Sequence, residues 1–294
     1  MGAVFGLFLP QLAMAPATAI RAARDAEAAG FTSFWLMDHL CVPGAPHVDA
    51  LESWTMLSAV AVSTTTIRLG HLVGCNPFRH PAVLAKMAAT LDHLSTGRFD
   101  LGLGWGSVDA ELEMFGIDAG RRADRSRALA ETIEIVRLMF DGDRFDYDGR
   151  YHRLRGAQGR PTPVQDHLPI YLGGAGPQLT MPLVARYADW WNCPGAARNG
   201  IDDLAPQRGS ARISAQYAVG VVTDTMDRET LDRLAHKRTP VESWGPTIVG
   251  TPAELVDQFR YELSRGVEQF MVRFVDGHRA ETISAFGESV IAAV

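Results

Sequence analysis

Short apolar runs alternate with longer amphipathic segments along the chain. The short runs are rich in β-branched and aromatic residues, which is typical of buried strands, and the longer segments carry apolar residues at helical spacing. The predicted strands are residues 4–9, 33–37, 67–73, 99–103, 169–172, 188–191, 215–222 and 269–274. The predicted helices are residues 18–29, 53–64, 81–94, 124–140, 179–187, 252–265 and 279–293.

Eight such runs separated by helices favour a closed (β/α)8 barrel over an open parallel sheet. We expect one domain that covers residues 1–294. The sixth helical unit should be short or absent, because residues 193–214 contain Pro194, Gly195, Gly200, Pro206 and Gly209. A small hairpin is predicted at residues 145–152, since its Asp-Gly pair at 148–149 favours a tight turn.

Charge and cysteine content exclude several partners. The 294 residues carry a net charge of −6 and no basic stripe, so we expect no nucleic-acid partner. Three scattered cysteines favour a reducing cytoplasm. The apolar start of the chain is interrupted by Pro10, and its first basic residue is Arg21, which argues against a signal peptide or a membrane span. No HxH, HExxH, GxSxG or P-loop pattern occurs, so we predict no metal.

Barrel enzymes carry their chemistry where strands end and βα loops begin. The second strand ends in Asp38 and His39, and strand alternation places His39 on the same side as Trp35 and Met37. A histidine in this position can exchange a proton near neutral pH. The alternative is that Asp38 only caps a loop and His39 is a rim residue.

The segment after the third strand is the next candidate. Gly74 permits the close approach of a flat ring, whereas the Asn-Pro pair that follows forces a turn. An ordinary strand-to-helix turn is the alternative interpretation. The candidate cofactor-binding residues here are Leu72, Val73, Gly74, Cys75 and Asn76.

Glycines also end the fourth and fifth strands. Gly104, Trp105 and Gly106 follow the fourth, where Trp105 offers an aromatic wall or is simply a core residue. The dinucleotide pattern GxGxxG is incomplete there. The fifth strand runs into a glycine-rich loop just before a predicted helix, which indicates an anion site unless the loop only reverses the chain. Its residues are Gly173, Gly174, Ala175 and Gly176.

Taken in order, these segments resemble the bacterial luciferase-like monooxygenases. The matching stretches are GLFLPQ at 6–11, GFTSFWLMDHL at 30–40, RHPAVLAKMAATLDHLSTGRFDLGLG at 79–104, GRYH at 149–152, PVQ at 163–165, LGGAG at 172–176, ADWWN at 188–192 and VGTPAE at 249–254. They span nearly the whole chain.

The resemblance implies a flavin-type ring in the barrel mouth, either FMN or the deazaflavin coenzyme F420. In the deazaflavin branch, it implies an Asp-His pair like Asp38 and His39 at the end of the second strand, with the histidine near the ring. It also implies a bulge at residues 73–76 behind the ring and phosphate binding at residues 173–176. A homodimer and a small-molecule substrate are further expectations of the family. Trp105 departs from the pattern, because relatives often have alanine or a catalytic glutamate there. Ser107 and Pro77 replace a frequent Trp and Thr.

The leading hypothesis is an F420-dependent oxidoreductase, in which His39 moves the proton that accompanies hydride transfer, Asp38 fixes its surroundings and Trp105 walls the substrate pocket. An FMN-dependent monooxygenase that uses O2 is the alternative. A non-catalytic flavin-binding protein and, more remotely, a hydrolase barrel are the others. The sequence leaves the substrate and the direction of reaction open.

Overall fold

The structure, a computed structural model, describes residues 3–118, 120–238 and 244–294. The strands of the barrel are Val4–Leu9 (β1), Ser33–Leu36 (β2), Arg68–His71 (β3), Phe99–Gly104 (β5), Ile170–Gly173 (β8), Trp190–Cys193 (β9), Arg212–Val221 (β10) and Gln269–Phe274 (β12). They are parallel and pair in the order β1–β2–β3–β5–β8–β9–β10–β12, and β12 pairs with β1 to close the ring. The predicted (β/α)8 barrel is confirmed.

Helices connect the strands around the outside. Their bounds are Pro16–Ala28 (α1), Ser53–Ala61 (α2), Pro81–Ser95 (α3), Asp109–Met114 (α4), Arg122–Asp141 (α5), Met181–Tyr187 (α6), Ile201–Leu204 (α7), Arg228–Arg238 (α8), Pro252–Ser264 (α9) and Ala280–Phe286 (α10). Proline begins α1, α3 and α9, where its missing N–H has no helical partner to lose. The short α7 confirms that the sixth unit is reduced. Within the described ranges, no helix is both long and apolar enough to cross a bilayer.

The sequence pattern does not predict three elements: α4, α8 and the short strand Thr247–Gly250 (β11), which pairs with the end of β10. The first is only six residues long, and α8 has just three apolar residues among its eleven, so both give a weak apolar period. The third strand is also shorter than predicted. It stops at His71, the Leu72–Val73 peptide is cis, and pairing resumes at Gly74–Cys75 (β4).

The predicted hairpin is present, with strands Phe145–Asp148 (β6) and Arg153–Ala157 (β7). Its turn covers residues 149–152, because the amide of Gly149 donates to the carbonyl of His152.

Two apolar clusters lie on the two sides of the barrel wall. The outer one fills the space between strands and helices. The inner one fills the barrel and consists of Phe8, Trp35, Met37, Leu72, Tyr171, Trp190 and Met271. Its centre is Trp35, which is fully buried and lies over Gly70, where any side chain would collide with the indole. Burial of one such large side chain contributes about 2–3 kcal/mol, so the inward glycine is a packing requirement.

Candidate functional site

The four predicted site segments meet at the carboxyl end of the barrel. The amide of Cys75 donates to Asp38 Oδ2 at 2.8 Å, which joins the second strand to the segment after the third. That segment pairs with the fourth strand through Gly74 and Cys75. Residues from distant parts of the sequence therefore form one continuous surface.

Asp38 is the centre of a buried hydrogen-bond network. Arg79 donates to both of its oxygens, from Nη1 to Oδ2 at 2.6 Å and from Nη2 to Oδ1 at 3.0 Å. Ser53 Oγ donates to Oδ1 at 2.8 Å. Burial alone would raise the pKa of Asp38, but the neighbouring His71 ring, the positive charge of Arg79 and the hydrogen bonds from Arg79 and Cys75 outweigh it and lower the pKa. Asp38 thus stays ionised and anchors the segments around it.

His39 is held by a carboxylate that the sequence did not reveal. Its Nδ1 lies 2.8 Å from Oε2 of Glu111, a buried residue of α4. The other oxygen, Oε1, accepts the amides of Leu40 at 2.6 Å and Cys41 at 3.3 Å. A carboxylate can only accept here, so the Nδ1 of His39 carries the proton and Nε2 is left as the second functional nitrogen. The imidazole side chain is 31% exposed, which keeps it accessible to a small molecule.

Glu111 escapes sequence reasoning because it lies in a short helix that the pattern does not predict. The sequence shows two glutamates two residues apart, Glu111 and Glu113, and nothing in that pattern distinguishes the buried one. Only the packing of α4 against the end of β2 distinguishes the buried Glu111 from the exposed Glu113.

Val73 explains why glycines end the neighbouring strands. A Cβ added to Gly104 would come within 2.8 Å of Val73 Cγ2, and one added to Gly173 within 2.7 Å of it. The isopropyl group therefore covers the ends of β5 and β8 and presents an apolar surface toward the mouth. The backbone at the ends of both strands therefore carries no side chain beside this apolar group.

Asn76 and Cys75 flank this surface. The side chain of Asn76 is buried, and its Oδ1 accepts no hydrogen bond from any residue that the structure describes. An unpartnered buried acceptor is costly, so it marks a position where a ligand N–H would be stabilised. The thiol of Cys75 has a raised pKa because of burial and the nearby Asp38 carboxylate, so it is not a nucleophile at neutral pH.

Trp105 makes contacts that the sequence pattern does not predict, and its role as a pocket wall stays a prediction. Its ring packs on the outer apolar cluster, its Nε1 donates to Thr180 Oγ1 at 3.2 Å, and the guanidinium of Arg125 lies 5.6 Å from the ring centre. Arg125 also donates to the carbonyl of Gly106 at 2.5 Å. Trp105 therefore joins the loop after β5 to the turn after β8 through Thr180.

The glycine-rich loop differs from the prediction in how it joins the next helix. The turn 177–180 separates Gly176 from α6, so the helix does not begin directly after the glycines. The amide of Gly174 donates to the carbonyl of Asn192 at 3.1 Å. Among the described residues, the amides of Ala175 and Gly176 have no acceptor, so they are the remaining candidates to bind an anion.

Comparisons with known proteins point to one family. A family profile described as luciferase-like monooxygenase matches residues 4–234. An F420-dependent hydroxymycolic acid dehydrogenase of Mycobacterium tuberculosis is 33% identical, over 72% of this chain and 56% of that protein. The pyrimidine monooxygenase RutA of Methylobacterium radiotolerans is 30% identical, over 73% of this chain and 55% of that protein.

A solved structure shows the same fold over the whole length. An F420-dependent secondary alcohol dehydrogenase, in complex with an F420-acetone adduct, superposes with a TM-score of 0.83 at 20% identity, and all of both chains is covered.

Proposed function

The chain belongs to the luciferase-like monooxygenase family and is an oxidoreductase of that family, and from this premise we propose that it uses coenzyme F420 to transfer hydride to or from a small organic substrate. One observation carries the proposal: the His39–Glu111 pair follows the end of β2, and the apolar side chain of Val73 follows the end of the neighbouring strand β3. The pair provides a proton-transfer group at the place where a flat redox ring fits.

The residues that would hold the cofactor come from three segments. Val73 and the ends of β5 and β8 offer a surface for the ring, Asn76 offers an acceptor, and the amides of Ala175 and Gly176 offer donors for the phosphate. When bound, the deazaflavin supplies the two-electron acceptor or donor for hydride.

His39 would carry the proton. Oxidation of an alcohol removes a hydride from carbon and a proton from oxygen, and Nε2 of His39 is the nitrogen that can take that proton. In the opposite direction the same nitrogen returns it. Glu111 keeps the ring oriented by accepting from Nδ1, and the Asp38–Arg79 ion pair holds the end of β2 in place. Neither Asp38 nor Arg79 needs to contact substrate for this role.

An FMN-dependent monooxygenase is the second candidate, because the pyrimidine monooxygenase is similar over a comparable length. The same apolar surface and loop amides would hold FMN. The His39–Glu111 pair favours F420, since a hydride transfer coupled to a proton needs such a group at the mouth.

Titration of the purified chain with F420 and with FMN tests the proposal, with tryptophan fluorescence or equilibrium dialysis as the readout. We expect saturable binding of F420 at micromolar concentration and F420-dependent turnover within a panel of alcohols and carbonyl compounds. Binding of FMN alone, with O2-dependent turnover, would transfer the assignment to the monooxygenase. Cofactor binding without any turnover would favour a carrier, and binding of neither cofactor would refute both assignments.

The predicted homodimer and the predicted cytoplasmic location stay predictions. Sedimentation equilibrium decides the first, because a monomer of 32.0 kDa is easily separated from a dimer of twice that mass.

A further inference from the structure

The order of strands places two different surfaces on opposite sides of the barrel mouth. In the ring of eight strands, β12 lies opposite β5, and β1 lies opposite β8. The proposed cofactor surface is built on β3, β5 and β8, so the side chains that face it across the mouth come from β10, β12 and β1. His39 follows β2, two strands away from both β5 and β12, and therefore lies between the two surfaces.

Trp244 covers the side that faces the cofactor surface. Its ring centre lies 5.9 Å from that of Phe8, near the end of β1, and the guanidinium of Arg273, near the end of β12, lies 4.2 Å from the indole. Trp244 also packs on the inner apolar cluster, although it belongs to no strand of the barrel. The sequence pattern gives no signal for its role, because it precedes β11, a strand that the pattern does not predict.

The reduced sixth unit fixes this tryptophan. Gly195 and Gly245 lie so close together that a side chain on either would collide with the backbone around the other. Arg198 joins the two segments further, with Nη2 donating to the carbonyl of Pro246 at 3.2 Å and Nη1 to that of Gln216 at 3.3 Å. The guanidinium of Arg198 is buried over the ring of Tyr217. The position of Trp244 is therefore set by packing and hydrogen bonds of its own backbone segment.

Several apolar side chains lie on the inner cluster together with Trp244, which also carries the guanidinium of Arg273 on its ring. Leu12, Ala50, Val73 and Trp244 are partly exposed and pack on the inner cluster. The side-chain amide of Asn192 already has partners. Its Nδ2 donates to Ser214 Oγ at 3.0 Å, and its Oδ1 accepts from Gln216 Nε2 at 2.8 Å. A ring-bearing substrate would gain both burial and aromatic contact on such a surface.

We propose that Trp244 is the specificity-determining wall of the substrate side and selects neutral, ring-bearing alcohols or carbonyl compounds, which stack on its indole while the reacting carbon faces the opposite surface. This inference rests on the proposed function for the reaction, but the binding it describes requires no cofactor.

The test is a ¹⁹F NMR titration with 4-fluoroacetophenone, a neutral aryl ketone, and 4-fluorobenzoate, its anionic counterpart. The proteins are wild type, Trp244→Ala, Trp244→Leu and, as a matched aromatic control, Tyr261→Ala on the outer face of α9, where the side chain is exposed. We expect the ketone to bind wild type and the Tyr261 variant equally, and to bind the Trp244→Ala variant at least about tenfold more weakly. Trp244→Leu, which keeps an apolar side chain, should retain the fold and still lose several-fold in affinity.

Three results would overturn the proposal: equal affinity of the ketone for wild type and both Trp244 variants, tighter binding of the benzoate than of the ketone, or no binding of the ketone to wild type. Benzoate preference would point instead to an anionic substrate attracted by Arg273. If the ketone binds through Trp244 but neither cofactor binds, the role of Trp244 is supported and the proposed function is refuted. If F420 binds but the ketone affinity does not depend on Trp244, the proposed function is supported and the role of Trp244 is refuted.

Discussion

His39 is the residue whose removal should separate chemistry from binding. Replacing it with alanine removes the proton-transfer nitrogen but leaves the Val73 surface and the loop amides intact. We therefore expect His39→Ala to lower kcat by about 10²- to 10⁴-fold, while the Kd for the cofactor stays close to that of wild type. Steady-state kinetics together with cofactor titration checks this.

The matched control for that variant is His47→Ala, because His47 is an exposed histidine of the loop between β2 and α2. His47→Ala should leave both kcat and the Kd for the cofactor unchanged. If His39→Ala kept full turnover, the proton would have to travel through another group and the proposed role would be wrong.

Glu111 acts through His39 and should therefore have a different signature. In Glu111→Gln the amide can donate to Nδ1, which favours the tautomer that protonates Nε2, the nitrogen assigned to the substrate. We expect kcat to fall by about 10- to 100-fold and its pH profile to shift, with cofactor affinity preserved. A residue that served only the fold would not move the pH profile.

Glu113→Gln is the control for Glu111, since Glu113 is exposed on the same short helix. Equal losses in the two variants would mean that the effect comes from the charge of α4 and not from the contact with His39.

At the scale of elements, Val73 and the glycines of β5 and β8 form one packing unit. A Cβ at position 173 would lie 2.7 Å from Val73 Cγ2 and 2.9 Å from Cγ1, well inside van der Waals contact. Overpacking of this kind costs about 1–3 kcal/mol. Gly173→Ala should therefore lower the free energy of unfolding by that amount in urea denaturation, and the added change Val73→Ala should recover part of the loss.

Gly200→Ala is the control for this pair, because a Cβ at position 200 would have no heavy atom within 4 Å and the φ angle there is negative. Its stability should stay within about 0.5 kcal/mol of wild type. A double variant no more stable than Gly173→Ala alone would show that contact with Val73 is not the cause of the loss.

The fold is largely predictable from the sequence because strands and helices differ in the spacing of their apolar residues. Alternation of strands and helices suffices to predict the barrel, because each buried strand carries its own apolar run and Pro or Gly residues mark the ends. The end of β3 is not predictable: residues 67–73 are predicted as one strand, and nothing local shows that the chain leaves the sheet after His71. The same limit applies to Glu111 and Trp244, whose roles depend on contacts between segments far apart in sequence.

A site residue is easier to locate from sequence when its own strand sets its position than when its neighbours do. Asp38 and His39 directly follow the buried run of β2, so their place at the mouth follows from that strand alone. The position of Trp105 after Gly104 predicts a place in the pocket, but its contacts with Thr180 and Arg125 could not be predicted from that position. A side chain just beyond a strand is no longer constrained by the alternation, so its direction is decided by tertiary contacts.

For the whole molecule, one buried histidine should make stability depend on pH. His71 is fully buried on the outer side of the barrel wall, where its ring centre lies 4.3 Å from that of Trp54 and the two rings stack. Burial outweighs the attraction of the Asp38 carboxylate and lowers the pKa of His71 from 6.5 to about 4. The native state therefore keeps this ring neutral at neutral pH.

The unfolded chain binds a proton at this histidine near pH 6.5, whereas the folded chain resists protonation down to about pH 4. Between these values the unfolded state holds more protons, and the free energy of unfolding therefore decreases as the pH falls. The full difference in pKa corresponds to about 3 kcal/mol, which is present above pH 6.5 and lost progressively toward pH 4.

Urea denaturation of wild type and of His71→Phe at several pH values between 7.5 and 4 checks this effect. Phenylalanine retains the stacking on Trp54 but cannot be protonated, so the variant should lose less stability on acidification than wild type, by up to about 3 kcal/mol at the acid end. His47→Ala, which removes an exposed histidine, should keep the wild-type slope. Parallel curves for wild type and His71→Phe would mean that other groups cause the acid sensitivity, and that the buried ring is protonated in the native state without cost.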